Sequence, residues 1–281
     1  MNRNTYLLLK RNKKIIPKFN EKSITKNENK LNDNNIKQLY LFSASSANDP
    51  NNMHLWVKGA ALFIPQMNML LNHINYNLDI KNITDFKNDS IELKNIFTKN
   101  KSDKSTVHNY HIIYSYIFNN LGRNNTLNIF EVGLGTNNPS LVSSMGSNGR
   151  PGASLYAFRD YLPYSNIYGA DIDKNILFNS NRIKTYYVDQ LNFRTFNDFS
   201  NNVNNIKFDL IIDDGLHAIG ANFNTLLFAL DNIKEKGWIV IEDIQNPENW
   251  KAIDYILSSN PKYKRYFIKT QCAYIYVINK L

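Results

Sequence analysis

The chain has 281 residues, 43% of them hydrophobic, a formal net charge of +9 and a single cysteine; that length suits one large α/β domain with an appendage better than two full domains. No stretch reaches the ~18 uninterrupted apolar residues that a membrane span requires, and the apolar core of "MNRNTYLLLKRNKK" is too short for a secretory signal. One cysteine excludes an internal disulfide framework and fits a reducing compartment, so the expectation is a cytoplasmic protein with Cys272 as a buried, inert thiol.

The charge sits at one end: residues 1–40 carry ten Lys/Arg against three Asp/Glu, which puts +7 of the +9 there and leaves the body nearly neutral. Such an arm can touch phosphates or anionic lipid, or be a polar, poorly packed terminus. With a near-neutral body, no nucleic-acid partner is expected. The next segment, "MHLWVKGAALFIPQMNMLLNHI", has helical apolar spacing interrupted by Pro65 and reads as core packing, a cap over a site or a dimer contact. "DIKNITDFKNDSIELKNIFTKNKSDKS" is polar, a linker or a helix with a narrow apolar stripe. Residues 1–100 are therefore expected to form a basic arm and a mostly helical extension, and 101–281 the main domain.

From Leu127 onward, short β-branched runs alternate with amphipathic stretches, the pattern of helices crossing between parallel strands. Strands are predicted at "LNIFEVG", "NIYGADI", "KTYYVDQ", "FDLIIDD" and "GWIVIED". Helices are predicted at "GASLYAFRDYL", a short piece near Lys174, "TFNDFSNNV", "GANFNTLLFALDNI" and "ENWKAIDYILSS". In "KRYFIKTQCAYIYVINK" two strand-like runs are too close for a helical crossover and must form an antiparallel hairpin. Parallel strands closed by an antiparallel terminal strand are the order of class I methyltransferases.

The first strand leads into "EVGLGT". Gly133 and Gly135 let the backbone approach a ligand, and Glu131 places a carboxylate at the strand end. A dinucleotide site needs a third glycine and an immediate helix to cradle the pyrophosphate. Here Asn138 stands where that glycine belongs, and some sixteen residues of Asn, Ser, Gly and Pro delay the helix. S-adenosylmethionine carries no phosphate, so an acidic strand end with a permissive glycine loop suits it better than NAD. The loop is either a lid or wall of an acceptor pocket or a solvent-exposed insertion.

Asp171, ending the second strand, is placed to accept hydrogen bonds from ribose hydroxyls; Asp173 falls on the opposite face and is expected in solvent. Asp189, after the third strand, reads as an adenine-proximal polar residue or a helix cap. Asp213 and Asp214 end one strand, Glu242 and Asp243 its neighbour, and His217 stands before the next helix. Four converging carboxylates repel unless a cation neutralises them. Oxygen donors without thiolates favour Mg²⁺ over Zn²⁺. His217, kept neutral by a helix N-terminus, suits a general base; capping its own helix is the plainer role.

With these residues in place, the chain from about Lys104 to Leu281 resembles metal-dependent sugar O-methyltransferases of the macrolide-biosynthesis type and related methyltransferases of capsule and surface-polysaccharide clusters. The matching pieces are "DKSTVHNY", "IFEVGLG", "GASLYAFRDYLP", "IYGADID", "FDLIIDDGLH" and "GWIVIEDI". The resemblance implies a Rossmann-like α/β fold, a mainly parallel seven-stranded sheet with an antiparallel C-terminal strand. It implies S-adenosylmethionine contacts at Gly133, Gly135, Ser154 and Asp171, with Tyr110 closing over the cofactor; Glu131, Asp189 and Asp213 are expected in the same site from their places at strand ends. Mg²⁺ would be held by Asp214, Glu242 and Asp243, with His217 as catalytic base. The acceptor it implies is a sugar, a nucleotide-linked sugar or a phosphoramidate-type group. Residues 1–100 and the loop after Gly135 do not match the family, and the unmatched helices offer a homodimer surface. Two other functions remain open at this point: an RNA methyltransferase using the basic arm, and a non-enzymatic binder of a nucleotide-like ligand.

Overall fold

Ile129 and Phe130 are adjacent and both fully buried, yet they belong to two different apolar clusters. Period-2 alternation sends one to each face of a sheet that is covered on both sides. In a computed structural model the described residues are 63–64, 66–86 and 89–281, and all fall within a unit spanning Phe42–Leu281. Most of the predicted N-terminal extension, including the basic arm and the first part of the Pro65 segment, lies outside the described residues.

The elements are β1 (Ile80–Asn82), α1 (Ile91–Lys99), α2 (His111–Leu121), β2 (Asn128–Val132), α3 (Ala153–Tyr161), β3 (Asn166–Asp171), β4 (Asn179–Ser180), β5 (Ile183–Tyr187), α4 (Phe193–Asn202), β6 (Phe208–Asp213), α5 (Ile219–Asn232), β7 (Ile233–Ile244), α6 (Lys251–Ser258), β8 (Tyr263–Lys269) and β9 (Tyr274–Lys280). A helical stretch at 66–73 precedes them. The strands form one sheet in the order β1-β8-β9-β7-β6-β2-β3-β5-β4. β5, β3, β2, β6 and β7 are mutually parallel neighbours. β9 inserts antiparallel between β7 and β8, as the short connection requires. The sheet has nine strands where seven were expected, because β1 and β4 add to its two edges. They are three and two residues long, too short to show a period in sequence.

One face is covered by α1, α2 and α3 through Phe97, Tyr114, Phe118 and Phe158; the other by α4, α5 and α6 through Phe199, Phe228 and Leu257. α1 is the narrow-striped helix of the two readings for its segment: Leu93 and Phe97, one turn apart, are its buried residues. α2 has no counterpart among the predicted elements. Its sequence, "HIIYSYIFNNL", is apolar on nearly every side and rich in β-branched and aromatic residues, so no helical period stands out. Cys272 corrects an expectation: it is exposed, not buried. It lies in the tight turn between β8 and β9, which offers no core to enter, and its thiol donates to the carbonyl of Val107 at 3.3 Å.

Candidate active site

The turns after β2, β3, β5, β6 and β7 meet at one edge of the sheet, the edge where open α/β sheets bind ligands. Gly133, at φ 96°, needs to be glycine: a Cβ there would stand 2.0 Å from the carbonyl oxygen of Asp214. The turns after β2 and β6 thus pass in backbone contact, joined by Asp214 N donating to Val132 O at 2.9 Å. Gly133 N in turn donates to Ala170 O at 2.8 Å. The long loop that follows is tied back on itself, with Met145 N on Thr136 O and Gly152 N on Leu134 O, both at 2.8 Å. Residues from Ser140 to Arg150 wall an open cavity of about 620 Å³.

Gly133, Gly135, Ser154, Asp171 and Asp189 line this cavity, and so do Asp214, His217 and Asp243. Tyr110, Glu131, Asp213 and Glu242 do not line it; each is at most 1% exposed and lies behind its wall. Asp171 accepts from Leu134 N and Asp173 N, both at 2.8 Å, and burial raises its pKa. Asp173 is a second correction. It is buried rather than in solvent, accepts from Thr136 Oγ1 at 2.5 Å and caps the 3₁₀ turn Lys174–Ile176 through Asn175 N at 3.0 Å. β3 has ended at Asp171, so strand alternation no longer decides where Asp173 points.

Asp189 accepts from Leu191 N at 2.9 Å, while Asn192 caps α4. Asp213, fully buried, takes Gln190 Nε2 at 2.9 Å and Gly215 N at 3.3 Å. The side-chain oxygen of Gln190, Oε1, accepts from Leu216 N at 2.8 Å. Gln190 and Asp213 together brace the turn that carries Asp214 and His217, and burial pushes the Asp213 carboxyl up.

A side chain that sequence reasoning passed over lies at the centre of the acidic cluster. The ammonium of Lys104, 2% exposed, stands 2.7 Å from Asp214 Oδ2, 3.1 Å from Glu131 Oε1 and in contact with Glu242 Oε2. The other oxygen of Glu242 receives the hydroxyl of Tyr114, and Ser154 donates to Glu131. Burial raises the carboxyls of Glu131 and Glu242 while Lys104 opposes it. Asp214 goes the other way: burial works against ionisation, but the Lys104 ammonium and nearby His217 hold its carboxyl below the usual range. Lys104 itself is held well above its usual value; burial alone would lower it, and the surrounding Asp214, Glu242 and Glu131 charges prevail.

Asp243, at φ 54°, accepts from Tyr110 at 2.5 Å through Oδ1. Tyr110 is stacked on His108 with ring centres 4.6 Å apart. The opposite oxygens face one imidazole: His217 Nε2 is 3.9 Å from Asp214 Oδ1 and 3.7 Å from Asp243 Oδ2. His217 is 34% exposed and has φ 55°. It does not cap α5, whose N-cap is Ala218 and which has no side-chain cap. Asp214, His217 and Asp243 present ligand-type atoms all within 4.8 Å of one another.

No protein-family model matches the chain, and no curated protein matches it at a significant level. Among solved structures it is similar to the MycE methyltransferase from the mycinamycin biosynthetic pathway. A complex of that enzyme with Mg and SAH is 20% identical, with TM-score 0.54, covering 67% of this chain and 54% of that one. A complex with Mg, SAH and mycinamycin VI is 19% identical, with TM-score 0.53 and the same coverage. The chain thus spans about half the length of the structures it matches. At this identity the likeness is one of architecture, and the chain has the fold of a class I S-adenosylmethionine-dependent methyltransferase.

Proposed function

We propose that the chain is an S-adenosylmethionine-dependent, Mg²⁺-dependent O-methyltransferase acting on a hydroxyl of a sugar or small polar metabolite. The observation that carries this reading is that one cavity is lined both by Gly133, Asp171 and Asp189 and by Asp214, Asp243 and His217. The first group suits the methyl donor. Gly133 brings bare backbone to the ligand, Asp171 offers lone pairs to ribose hydroxyls, and Asp189 offers them to the base. A dinucleotide fits less well, because α3 starts only at Ala153 and gives no helix N-terminus directly after the glycines.

The second group suits the acceptor and a divalent ion. Mg²⁺ is bound by one or two carboxylates and fills its remaining positions with water and substrate oxygens, and Asp214 and Asp243 each turn an oxygen toward the cavity. Such an ion, when bound, lowers the pKa of a coordinated hydroxyl and orients it. His217 removes the hydroxyl proton at Nε2 as the acceptor oxygen forms its bond to the methyl carbon; the methyl–sulfur bond breaks and its electron pair stays on sulfur. Asp214 and Asp243, 3.9 and 3.7 Å from that nitrogen, stabilise the imidazolium that results. Holding both reactants in line supplies most of the acceleration, since the donor is already activated. The Mg and SAH of the MycE complexes agree with this assignment. An activated sugar or phosphoramidate-bearing precursor of a capsule, polysaccharide or natural product is the proposed acceptor class, with the cytoplasm as the proposed location.

Calorimetry with S-adenosylmethionine and with NAD, each with and without Mg²⁺, tests the reading. Binding of the first and not the second is expected; the reverse would end it. A screen of methyl transfer to activated sugars then identifies the acceptor, and turnover that persists in EDTA would remove the metal.

A further inference from the structure

Lys101, Lys104 and Arg150 line the cavity. Lys104 is spent on Glu131, Asp214 and Glu242. The other two are exposed, and among the described residues neither stands within ion-pair distance of a carboxylate, Asp103 on the same stretch of wall included. They lie together: Arg150 Nη1 donates to the carbonyl of Asn100, next to Lys101, at 3.3 Å, and its guanidinium rests 4.6 Å from the centre of the Tyr156 ring. Most of the Arg150 fork and all of the Lys101 ammonium are left to a ligand. Lys101 also holds a backbone position that does not suit it. α1 closes in a Schellman turn, with Ser102 N on Phe97 O and Lys101 N on Thr98 O, both at 3.0 Å. Lys101 takes the left-handed place in that turn, at φ 62°, where Gly or Asn is usual. Lys99 already gives the helix C-terminus the positive charge it favours. A lysine kept at φ 62° against its preference points to use of its side chain.

Resting on the transferase reading above, we propose that Lys101 and Arg150 bind an anionic group of the acceptor, the phosphate or carboxylate of a charged sugar, while the acceptor's hydroxyl lies at His217. Sheet topology puts the pair on the acceptor's half of the cavity. The carboxylates that hold Lys104 come from β2, β7 and the turn after β6, whereas Asp171 and Asp189, proposed for the donor's ribose and base, end or follow β3 and β5. Lys101 is three residues from Lys104, a span of at most ~11 Å, so one sugar with its charged substituent can reach both the pair and the imidazole. The planar guanidinium suits two oxygens of one anion, and the ammonium adds a point charge beside it. Both groups set which acceptor is held; neither touches the reacting atoms.

The test is calorimetry on the full chain saturated with S-adenosylhomocysteine and Mg²⁺, titrated in turn with glucose, glucose 1-phosphate, uridine diphosphate glucose and glucuronate. At least one charged probe should bind, about 10-fold or more tighter than glucose, and the phosphate and carboxylate probes tell which anion the pair takes. Lys101→Gly and Arg150→Gln should each weaken that probe by about 10-fold, the worth of a charge-assisted hydrogen bond, with S-adenosylhomocysteine affinity within about twofold of wild type. Lys101→Gly should at the same time raise Tm, because glycine adopts φ 62° freely. Glucose bound as tightly as the charged probes, or no charged probe bound, overturns the proposal. So does a Lys101→Gly chain that binds every probe as wild type does. Equal losses of probe and S-adenosylhomocysteine in the two variants overturn it as well and give the pair to the donor's carboxylate. A wild-type chain that does not bind S-adenosylhomocysteine overturns the transferase reading itself, a different result.

Discussion

Gly133 and Asp214, far apart in the chain, meet backbone to backbone: a Cβ on Gly133 would lie 2.0 Å from the carbonyl oxygen and 2.4 Å from the carbonyl carbon of Asp214. The turn proposed to receive the donor and the turn that carries the acceptor chemistry therefore share one contact. Neither a side-chain rotation nor a small shift can make room, because the obstacle is main chain, and φ 96° is itself costly for an L-residue. Gly133→Ala should lower stability by about 2–3 kcal/mol or more and weaken S-adenosylmethionine binding, as checked by urea unfolding and calorimetry. Gly146, at φ 74° with open space around it, is the control: alanine there should leave donor affinity unchanged.

His217 needs a substitution that respects its backbone. At φ 55°, alanine mixes loss of the imidazole with strain, whereas asparagine tolerates the left-handed region. His217→Asn should reduce methyl transfer by about 10²–10⁴-fold, the usual worth of a general base, while donor affinity stays within about twofold. Single-turnover rates and calorimetry on the same preparation check this. A variant that transfers methyl groups at the wild-type rate would remove His217 from the mechanism.

The parallel strands and the turns that end them were legible because their signals are local: β-branched runs stopping at an acid or a glycine. Asp213 and Asp214 show where locality fails. Both end the same strand, but Asp213 turns into the protein to meet Gln190 and Asp214 turns to the cavity, and two adjacent identical residues carry no mark of which does which. Lys104 fails for another reason. It sits in a polar stretch with Lys99 and Lys101 beside it, and only convergence of β2, β6 and β7 makes it the one buried among carboxylates. The sequence argument that four carboxylates demand a cation was physically sound, yet part of that cation is covalently supplied.

The same helix that supplies Tyr114 carries a pH-sensitive group unrelated to the chemistry. His111, the first residue of α2, is 8% exposed, and its buried Nδ1 has no hydrogen-bond partner among the described residues. Burial, aided by the charge of Lys94, lowers its pKa from 6.5 to about 4. The folded state thus binds fewer protons than the unfolded chain between those values, so stability rises with pH across that window. Its contribution is complete above 6.5 and is lost as pH falls through about 4, amounting to ~3 kcal/mol at most. Thermal melts at pH 7 and pH 4.5 should show His111→Gln losing less on acidification than the wild type does; equal losses would mean other groups govern acid stability.

The long loop should depend on a side-chain tether at its start, beside the bonds that tie it back on itself. Thr136 donates to Asp173 at 2.5 Å, and this bond, foremost, holds the Asp173 carboxyl below its usual range. Thr136→Val keeps the shape and deletes the donor, freeing the segment that walls the cavity. Limited proteolysis should then cut within 137–150 faster than in wild type, with donor affinity falling in parallel. Unchanged cleavage would mean the backbone bonds of Met145 and Gly152 suffice.

α1 lies at the very end of the extension foreseen from sequence, but its apolar residues are integral to the packing around α2 and α3. Leu93 and Phe97 are both 0% exposed, and Phe97 meets the ring of Phe158 edge-on at 5.4 Å and that of Tyr114 at 6.3 Å. Tyr114 is the residue whose hydroxyl holds Glu242, so a loss at Phe97 reaches the acidic cluster in one step. Phe97→Ala should cost about 3–5 kcal/mol, and a chain beginning at residue 101, which lacks both side chains, should not fold cooperatively. Urea unfolding followed by circular dichroism measures the first. A two-state transition in the shortened chain, with S-adenosylmethionine affinity intact, would show that the proposed catalytic unit stands without α1.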